Sequence, residues 1–437
     1  MNSLQQIAAQ LQGYDPHALR ADTALQFLTS LVHTVSGMQT VELKQSLGRI
    51  LTHDVISPLN VPAHDNSAMD GFAFAGSQLH SDTPLTLEVV GTAYAGRVWG
   101  GIVGTGQCVK IMTGAIIPAG LDTVVPQELT QRIIDPIAGI DRVVIAADTL
   151  RCGDNRRFKG EDLQEGTPAL SAGDRITPAA LGLLASLGIA YVDVRRPLRV
   201  AFFSTGDEVL SLGEAPREGT VYDSNRYTLF GLLTRMGVDM VDMGVVRDNP
   251  EALEAAFRQA AAQADAVITS GGVSVGEADH TKAVMRKLAD GDAGNSSDTG
   301  VAFWKIAMRP GRPMAVGRID KAVLFGLPGN PVAVMVTFLA FVRPALLRMM
   351  GSNATSLPML RAKSREAIRK KPGRTEYQRG IVCNTADGNL EVAITGQQGS
   401  GVLSSMVQAN GLIVLHHEQG DVAPGQDVDV MMFDGVI

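Results

Sequence analysis

A short apolar run, Ala266-Val-Ile-Thr269, leads into Ser270-Gly271-Gly272, a polar stretch through Ser274, Glu277 and Asp279, and a helix start near Thr281 and Lys282. Strand, tight glycine turn and helix start together have the build of a phosphate cradle. Glycines let backbone N–H groups approach an anion, and a helix N-terminus adds about half a positive charge. Ser270, Ser274 and Thr281 offer hydroxyl donors, and Lys282 offers charge. Glu277 and Asp279 repel an anion, so their presence calls for a bridging cation such as Mg²⁺. The same residues also suit a plain turn between strand and helix with solvated acids. Other stretches have to decide between the two.

The elements that must position these residues are strands and helices in alternation. Leu198–Phe203 is a continuous apolar strand with Ser204-Thr205-Gly206-Asp207-Glu208 at its end, and Val238–Val246 is a strand ending in Arg247-Asp248-Asn249. Val301–Ile306 precedes Met308-Arg309-Pro310-Gly311-Arg312-Pro313, and Ala322–Phe325 precedes Gly326-Leu327-Pro328-Gly329-Asn330-Pro331. Between them the spacing predicts a helix capped by Asp223-Ser224-Asn225, with Tyr227, Phe230, Leu233 and Met236 on one face, and a helix from Pro250 to Ala264. Further helices follow over Thr281–Leu288 and Pro331–Met350. Apolar, non-alternating strands separated by helices predict a mostly parallel sheet covered on both faces. Ligands of such sheets sit outside the carboxyl ends of the strands. That rule gathers Asp207, Glu208, Asp248, Glu277, Asp279, Arg309 and Pro328–Pro331 along one edge. The polar stretch over residues 290–300 reads as an inserted loop.

On either side the texture differs. Residues 1–22 read as a loosely held tail, broken by Pro16, and Thr23–Val35 has helical spacing. Between Phe72 and Ile145 short alternating strands and glycine turns predict a small β-domain. Two polar clusters stand by it, His64-Asp65-Asn66-Ser67-Ala68-Met69-Asp70-Gly71 and Met112-Thr113-Gly114. A charged loop follows, Asn155-Arg156-Arg157-Phe158-Lys159-Gly160-Glu161-Asp162. Residues 352–437 return to short strands and read as a small β-barrel. The whole is a multi-domain α/β plus β chain, divided as 1–52 with 151–196, 53–150, 197–350 and 351–437.

Composition narrows the partners. A length of 437 residues predicts about two to four domains. The net charge of −7 argues against a general nucleic-acid binder but allows a local basic pocket for a small anion. Cys108, Cys152 and Cys383 form no C-x-x-C pair, which fits a reducing compartment. The N-terminus lacks the pattern of a signal peptide, and the apolar run Pro331–Val342 is short of a bilayer span, so a cytoplasmic setting without a membrane is expected.

The motifs Asp65-Asn-Ser-Ala-Met-Asp-Gly71, Met112-Thr-Gly114, Gly160-Glu-Asp162, Ser204-Thr-Gly-Asp-Glu208, Ser270-Gly-Gly-Val-Ser-Val-Gly276 and Gly326-Leu-Pro-Gly-Asn-Pro331 stand in this order along the chain. Together they resemble the molybdopterin molybdenumtransferase family, whose eukaryotic counterpart is the E domain of gephyrin. The resemblance implies an enzyme that takes molybdate and adenylylated molybdopterin, inserts molybdenum at the dithiolene and releases AMP, with Mg²⁺ present. It implies an elongated homodimer of four-domain subunits, with the site shared between subunits, and an upstream adenylyltransferase as possible partner. Carried over by motif, Asp65, Thr113, Asp162, Glu208, Lys305 and Arg309 are the expected catalytic residues. Ser270, Gly271, Gly272, Ser274, Arg312, Pro328, Gly329, Asn330 and Pro331 are expected to bind substrate, and Asp248, Asp279 and Glu208 to hold metal. Arg309 and Arg312 stand where many relatives carry lysines, and His280 where an aromatic is common. A non-enzymatic scaffold of the same fold is the rival expectation, because gephyrin also clusters receptors through this domain.

Overall fold

The computed structural model describes residues 4–433 except 135, 136, 138, 274–279, 291–299, 355, 356 and 358. Ser274, Glu277, Asp279 and most of the 290–300 insertion therefore lie outside the described residues. The chain forms two compact units, one of Met1–Thr52, Gly173–Thr177 and Tyr191–Ile437, the other of His53–Ala172 and Pro178–Ala190.

The smaller unit holds a sheet of β1 (Gly71–Phe74), β2 (Leu85–Ala93), β3 (Gln107–Ile111), β4 (Thr123–Pro126), β5 (Thr130–Ile134) and β6 (Asp141–Ile145), in the order β4-β1-β3-β2-β6-β5. Only β2 and β3 pair in parallel. Its two faces bury separate apolar sets, one around Val109, Ile111 and Val124, the other around Phe72, Phe74 and Val143. That split is what strict alternation along short strands produces.

The larger unit contains the layered sheet expected from the sequence. Its strands are β7 (Arg199–Thr205), β8 (Asp239–Val246), β9 (Ala266–Ser270), β10 (Gly300–Lys305), β11 (Pro313–Ile319) and β12 (Ala322–Leu327). Their order is β8-β7-β9-β12-β11-β10, and β11 alone runs against the others. Helices α1 (Ser224–Met236), α2 (Pro250–Gln263) and α3 (His280–Asp290) pack on the two faces. Val200 and Phe202 of β7 join the core with α1, while Ala201 and Phe203 join the core with α2 and α3. Both faces of the inner strands β7, β9, β11 and β12 are thus dry, which is why they read as unbroken apolar runs, while the edge strands β8 and β10 stay partly exposed.

Pro331–Met349 forms a continuous helix, α4, with one π-turn at Phe338–Val342. At 19 residues it is long and apolar enough to cross a membrane, yet most of it is buried inside the fold. Burial against the sheet, not length, makes it a core helix. The closing element is a five-stranded barrel of Met359–Ser364, Thr375–Asn384, Leu390–Ile394, Gly411–Leu415 and Asp427–Met432. It closes because Thr375–Asn384 pairs with both Leu390–Ile394 and Gly411–Leu415.

Two expectations are corrected here. The N-terminal segment is not a loose tail: Leu4–Gln10 is helical, Ile7 and Leu19 are fully buried, and Trp304 donates its indole N–H to Tyr14 at 3.0 Å. The buried face of α1 is Leu229, Leu232, Leu233 and Met236, whereas Tyr227 and Phe230 are exposed. The aromatics fit the helical period, but the leucines lie closer to the centre of the stripe that meets the sheet.

Phe257 of α2 is fully buried, with its ring 5.1 Å from that of Phe203 at 70°. Phe257→Ala should cost roughly 3–5 kcal/mol through lost burial and the cavity left behind. Chemical denaturation checks this; a loss under about 1 kcal/mol would mean the two-faced packing is not what holds the sheet.

Candidate active site

The carboxyl ends of β7, β9 and β12 come within backbone contact of one another. The Gly271 N–H donates to the Leu327 carbonyl at 3.1 Å. Gly271 has φ +92°, and a Cβ there would stand 2.5 Å from the Thr205 carbonyl oxygen. Only glycine satisfies both that dihedral and that approach. Gly272, at φ +63°, faces the Thr281 side chain at the start of α3 just as closely. The turn Pro328-Gly329-Asn330-Pro331 then crosses in front of Gly271, and Asn225 at the start of α1 donates its amide N–H to the Gly329 carbonyl at 2.8 Å.

This turn lies between two cavities. The first, of about 580 Å³, is lined by Ser204, Thr205, Glu208, Asp223, Asn225, Ser270 and Gly271 on one side and Gly329, Asn330 and Pro331 on the other. The second, of about 560 Å³, is lined by Arg309, Gly311, Arg312, Arg374 and the Gln398-Gly399-Ser400 loop, and shares Gly329 and Asn330 with the first. One wall therefore carries carboxylates and hydroxyls and the other three arginines. Guanidinium groups bind oxyanions through paired N–H donors, so the second cavity suits a small oxyanion. The N-terminus of α4 at Pro331 adds its positive end between them.

A buried chain of hydrogen bonds backs the first cavity. Ser204 Oγ lies 2.9 Å from both Asp223 Oδ1 and Ser270 Oγ. Asp223 also accepts from the backbone N–H of Arg226 at 3.0 Å and from its Nε at 3.2 Å, and so caps α1. Arg226 continues to Asp242 at 3.0 Å.

Asp248 follows β8. Its N–H donates to Asp207 at 3.3 Å, and its Oδ1 accepts from Thr281 Oγ1 at 3.4 Å. Thr281 in turn faces Gly272, next to Gly271, but Asp248 itself lines neither cavity. Lys305 stands at the carboxyl end of the edge strand β10 and lines neither cavity. Among the described residues, no three His, Cys, Asp or Glu side chains gather as a metal site. Asp279, the third expected ligand, lies outside those residues.

Asp65, Thr113 and Asp162 belong to the other unit, where three loops meet. Asn66–Ser67 pairs with Arg156–Arg157, and Gly114 N–H donates to the Ser67 carbonyl at 2.8 Å. The Asp65 carboxylate accepts from the Lys159 N–H at 2.7 Å and from both Nε and Nη2 of Arg156. Asp70 accepts from the Thr113 N–H at 2.6 Å and from its hydroxyl at 2.9 Å. Asp162 is exposed, its N–H donating to Val61 at 3.0 Å.

Sequence reasoning missed the barrel's share of the site. Arg379, 1% exposed, donates to the carbonyls of Gln397, Gln398 and Gly399 and to Ser405, and so shapes the loop lining the second cavity. The only signal was a run of Gly, Gln and Ser, a composition common to turns.

The Lys159 N–H, against partial desolvation and with help from Arg156, holds the Asp65 carboxyl below its usual range. A depressed folded-state value contributes stability that is present above the unfolded value near 4 and lost as pH falls through the folded value. Wild-type protein should therefore lose more stability between about pH 5 and pH 3 than Asp65→Asn. Unfolding midpoints across that range check it; parallel pH profiles would contradict the assigned pairing.

Comparison with known proteins gives the family of the chain. The chain matches the family models described as the MoeA N-terminal region (domain I and II) over residues 19–188, a probable molybdopterin binding domain over 201–348, and the MoeA C-terminal region (domain IV) over 361–433. It is 40% identical over 398 residues to a molybdopterin molybdenumtransferase of Haemophilus influenzae, covering 91% of this chain and 94% of the relative. It is 35% identical over 432 residues to one of Nostoc sp., covering 96% and 95%. The crystal structure of a molybdopterin biosynthesis moeA protein from Pyrococcus horikoshii OT3 superposes with a TM-score of 0.78 at 25% identity, covering 95% of this chain and all of that one. With a relative this similar along nearly its whole length, the chain belongs to the MoeA family of molybdopterin molybdenumtransferases.

Proposed function

We propose that this chain inserts molybdenum from molybdate into adenylylated molybdopterin and releases AMP, a transferase step in molybdenum cofactor biosynthesis. The observation that carries this reading is the pair of cavities separated by Gly329 and Asn330, one lined by acids and hydroxyls and the other by Arg309, Arg312 and Arg374. Two substrates must meet in such a reaction, one of them a free oxyanion.

In this reading Arg309 and Arg312 hold molybdate, with the N-terminus of α4 beside them. Arg374, whose guanidinium is 2.7 Å from buried Glu376, gives that cavity a fixed third cation. Glu208, Ser270 and Gly271 shape the neighbouring cavity for the organic substrate. Asp248, with Asp279, would hold Mg²⁺. Such a cation would need only one or two carboxylates from the chain, and Asp248 and Asp279 would supply them. When bound, Mg²⁺ polarises the phosphoanhydride. Lys305 is assigned to the departing phosphate charge.

The same reading includes a homodimer in which Asp65, Thr113 and Asp162 complete the partner's site. It also includes the four-domain division, an upstream adenylyltransferase that supplies the substrate, and a cytoplasmic setting. Glu208, Ser270 and Gly271 share one cavity and Arg309 and Arg312 the other, and these groupings support their roles in the reading.

AMP release from adenylylated molybdopterin should require both molybdate and Mg²⁺. Arg309→Ala should raise the KM for molybdate roughly 10- to 100-fold, as expected for loss of a charge-assisted hydrogen bond. Release that ignores molybdate, or an unchanged KM in the variant, would overturn the reading.

A further inference from the structure

The loop that carries Arg309 and Arg312 is gripped at its base by a distant part of the chain. The Lys305 N–H donates to the Pro16 carbonyl at 2.8 Å, and the Lys305 carbonyl accepts from the Leu19 N–H at 3.2 Å. The Ala307 N–H donates to the Leu19 carbonyl at 2.7 Å, so Leu19 and Ile306 pair as in a parallel ladder. Beyond these bonds the loop closes on itself, with the Ile306 N–H donating to the Arg312 carbonyl at 2.7 Å. The Ala307 carbonyl accepts from the Thr375 N–H at 2.9 Å, and Met308–Arg309 then pairs with Thr375–Glu376. Ala307 thus joins the N-terminal segment to the barrel strand beside Arg374.

The segment is set before it meets the loop. The Asp15 carboxylate accepts from the His17 N–H at 2.8 Å, and the Asp15 carbonyl from the Ala18 N–H at 3.2 Å, which fixes the turn around Pro16. Leu19 is fully buried, and Tyr14 accepts from the Trp304 indole N–H and stacks 5.8 Å from Phe27. The exposed Arg20–Glu418 pair adds little to this hold, because solvent screens it. Backbone bonds and burial carry it. The second cavity needs such a hold. Three guanidiniums around one cavity repel one another, and an oxyanion between them binds well only if the loop does not splay.

We infer that residues 14–19 are a positioning element of the second cavity, and that docking of this segment and binding of an oxyanion at Arg309 and Arg312 stabilise each other. The inference rests on the proposed molybdate site. It gives a share in oxyanion affinity to a segment that lines neither cavity. The coupling is reciprocal by linkage: whatever the docked segment adds to anion affinity, the bound anion adds to docking.

Hydrogen exchange of the full-length chain, with and without sodium molybdate, tests this. The Lys305 and Ala307 amides should exchange about tenfold more slowly at about ten times the molybdate Kd, because opening of the segment then requires release of the anion. The amides of Gly71–Phe74, in the other unit, should exchange as before. Tyr14→Ala removes the stack on Phe27 and the acceptor for Trp304. It should raise the KM for molybdate about tenfold with little change in kcat, because the binding-competent fraction falls. Loss of folded protein alone would lower kcat and leave KM as it was. Unchanged exchange at Lys305 and Ala307 with molybdate bound, or an unchanged KM in Tyr14→Ala, overturns the inference while molybdate binding by the wild type keeps the proposed site standing. Wild-type protein that binds no molybdate removes that site, and the inference with it.

Discussion

The site depends on how closely backbone approaches backbone at the carboxyl ends of β7, β9 and β12. Gly271 lies against the Thr205 carbonyl with no room for a Cβ, while its N–H reaches the Leu327 carbonyl. Asn225 ties the Gly329 carbonyl from the other side. These contacts fix the Pro328–Pro331 turn as a wall, and the wall makes two cavities where a looser turn would leave one open cleft. Preorganisation of this kind lets charged side chains hold position without reorganising when substrate arrives.

The division of chemistry across that wall follows from which elements reach it. The first cavity is bounded by strand ends and the start of α1, which bring Ser204, Ser270, Asp223 and Asn225. The second is bounded by the Met308–Pro313 loop and by the barrel, which bring Arg309, Arg312 and Arg374. An overall charge of −7 gives no hint of a pocket built from three arginines. Local placement, not net charge, sets the potential that an oxyanion meets.

Much of this layout was legible from the residues alone. The unbroken apolar strands predicted a buried, mostly parallel sheet, and the rule that ligands sit at carboxyl ends put Glu208, Arg309 and Pro328–Pro331 along one edge. What stayed hidden has physical causes. Arg374 and the Gln398–Ser400 loop come from a barrel whose strands are local in sequence, so nothing in their pattern signals a distant neighbour. Tyr227 and Phe230 satisfy the helical period as well as Leu229 and Leu232 do, and only packing decides which face the sheet takes. Leu4–Gln10 is short and weakly patterned, and it is held in place by contacts such as that between Tyr14 and Trp304, far apart in sequence.

The most direct measurement is a crystal structure of the chain soaked with molybdate, with the metal located by its anomalous scattering. The expected result is a single strong peak within hydrogen-bond reach of Arg309 or Arg312, on the barrel side of Gly329 and Asn330. A peak in the cavity of Ser270 and Asp223, or molybdate bound only at the outer surface, would contradict the separation of oxyanion and heterocycle from which the proposed chemistry is built.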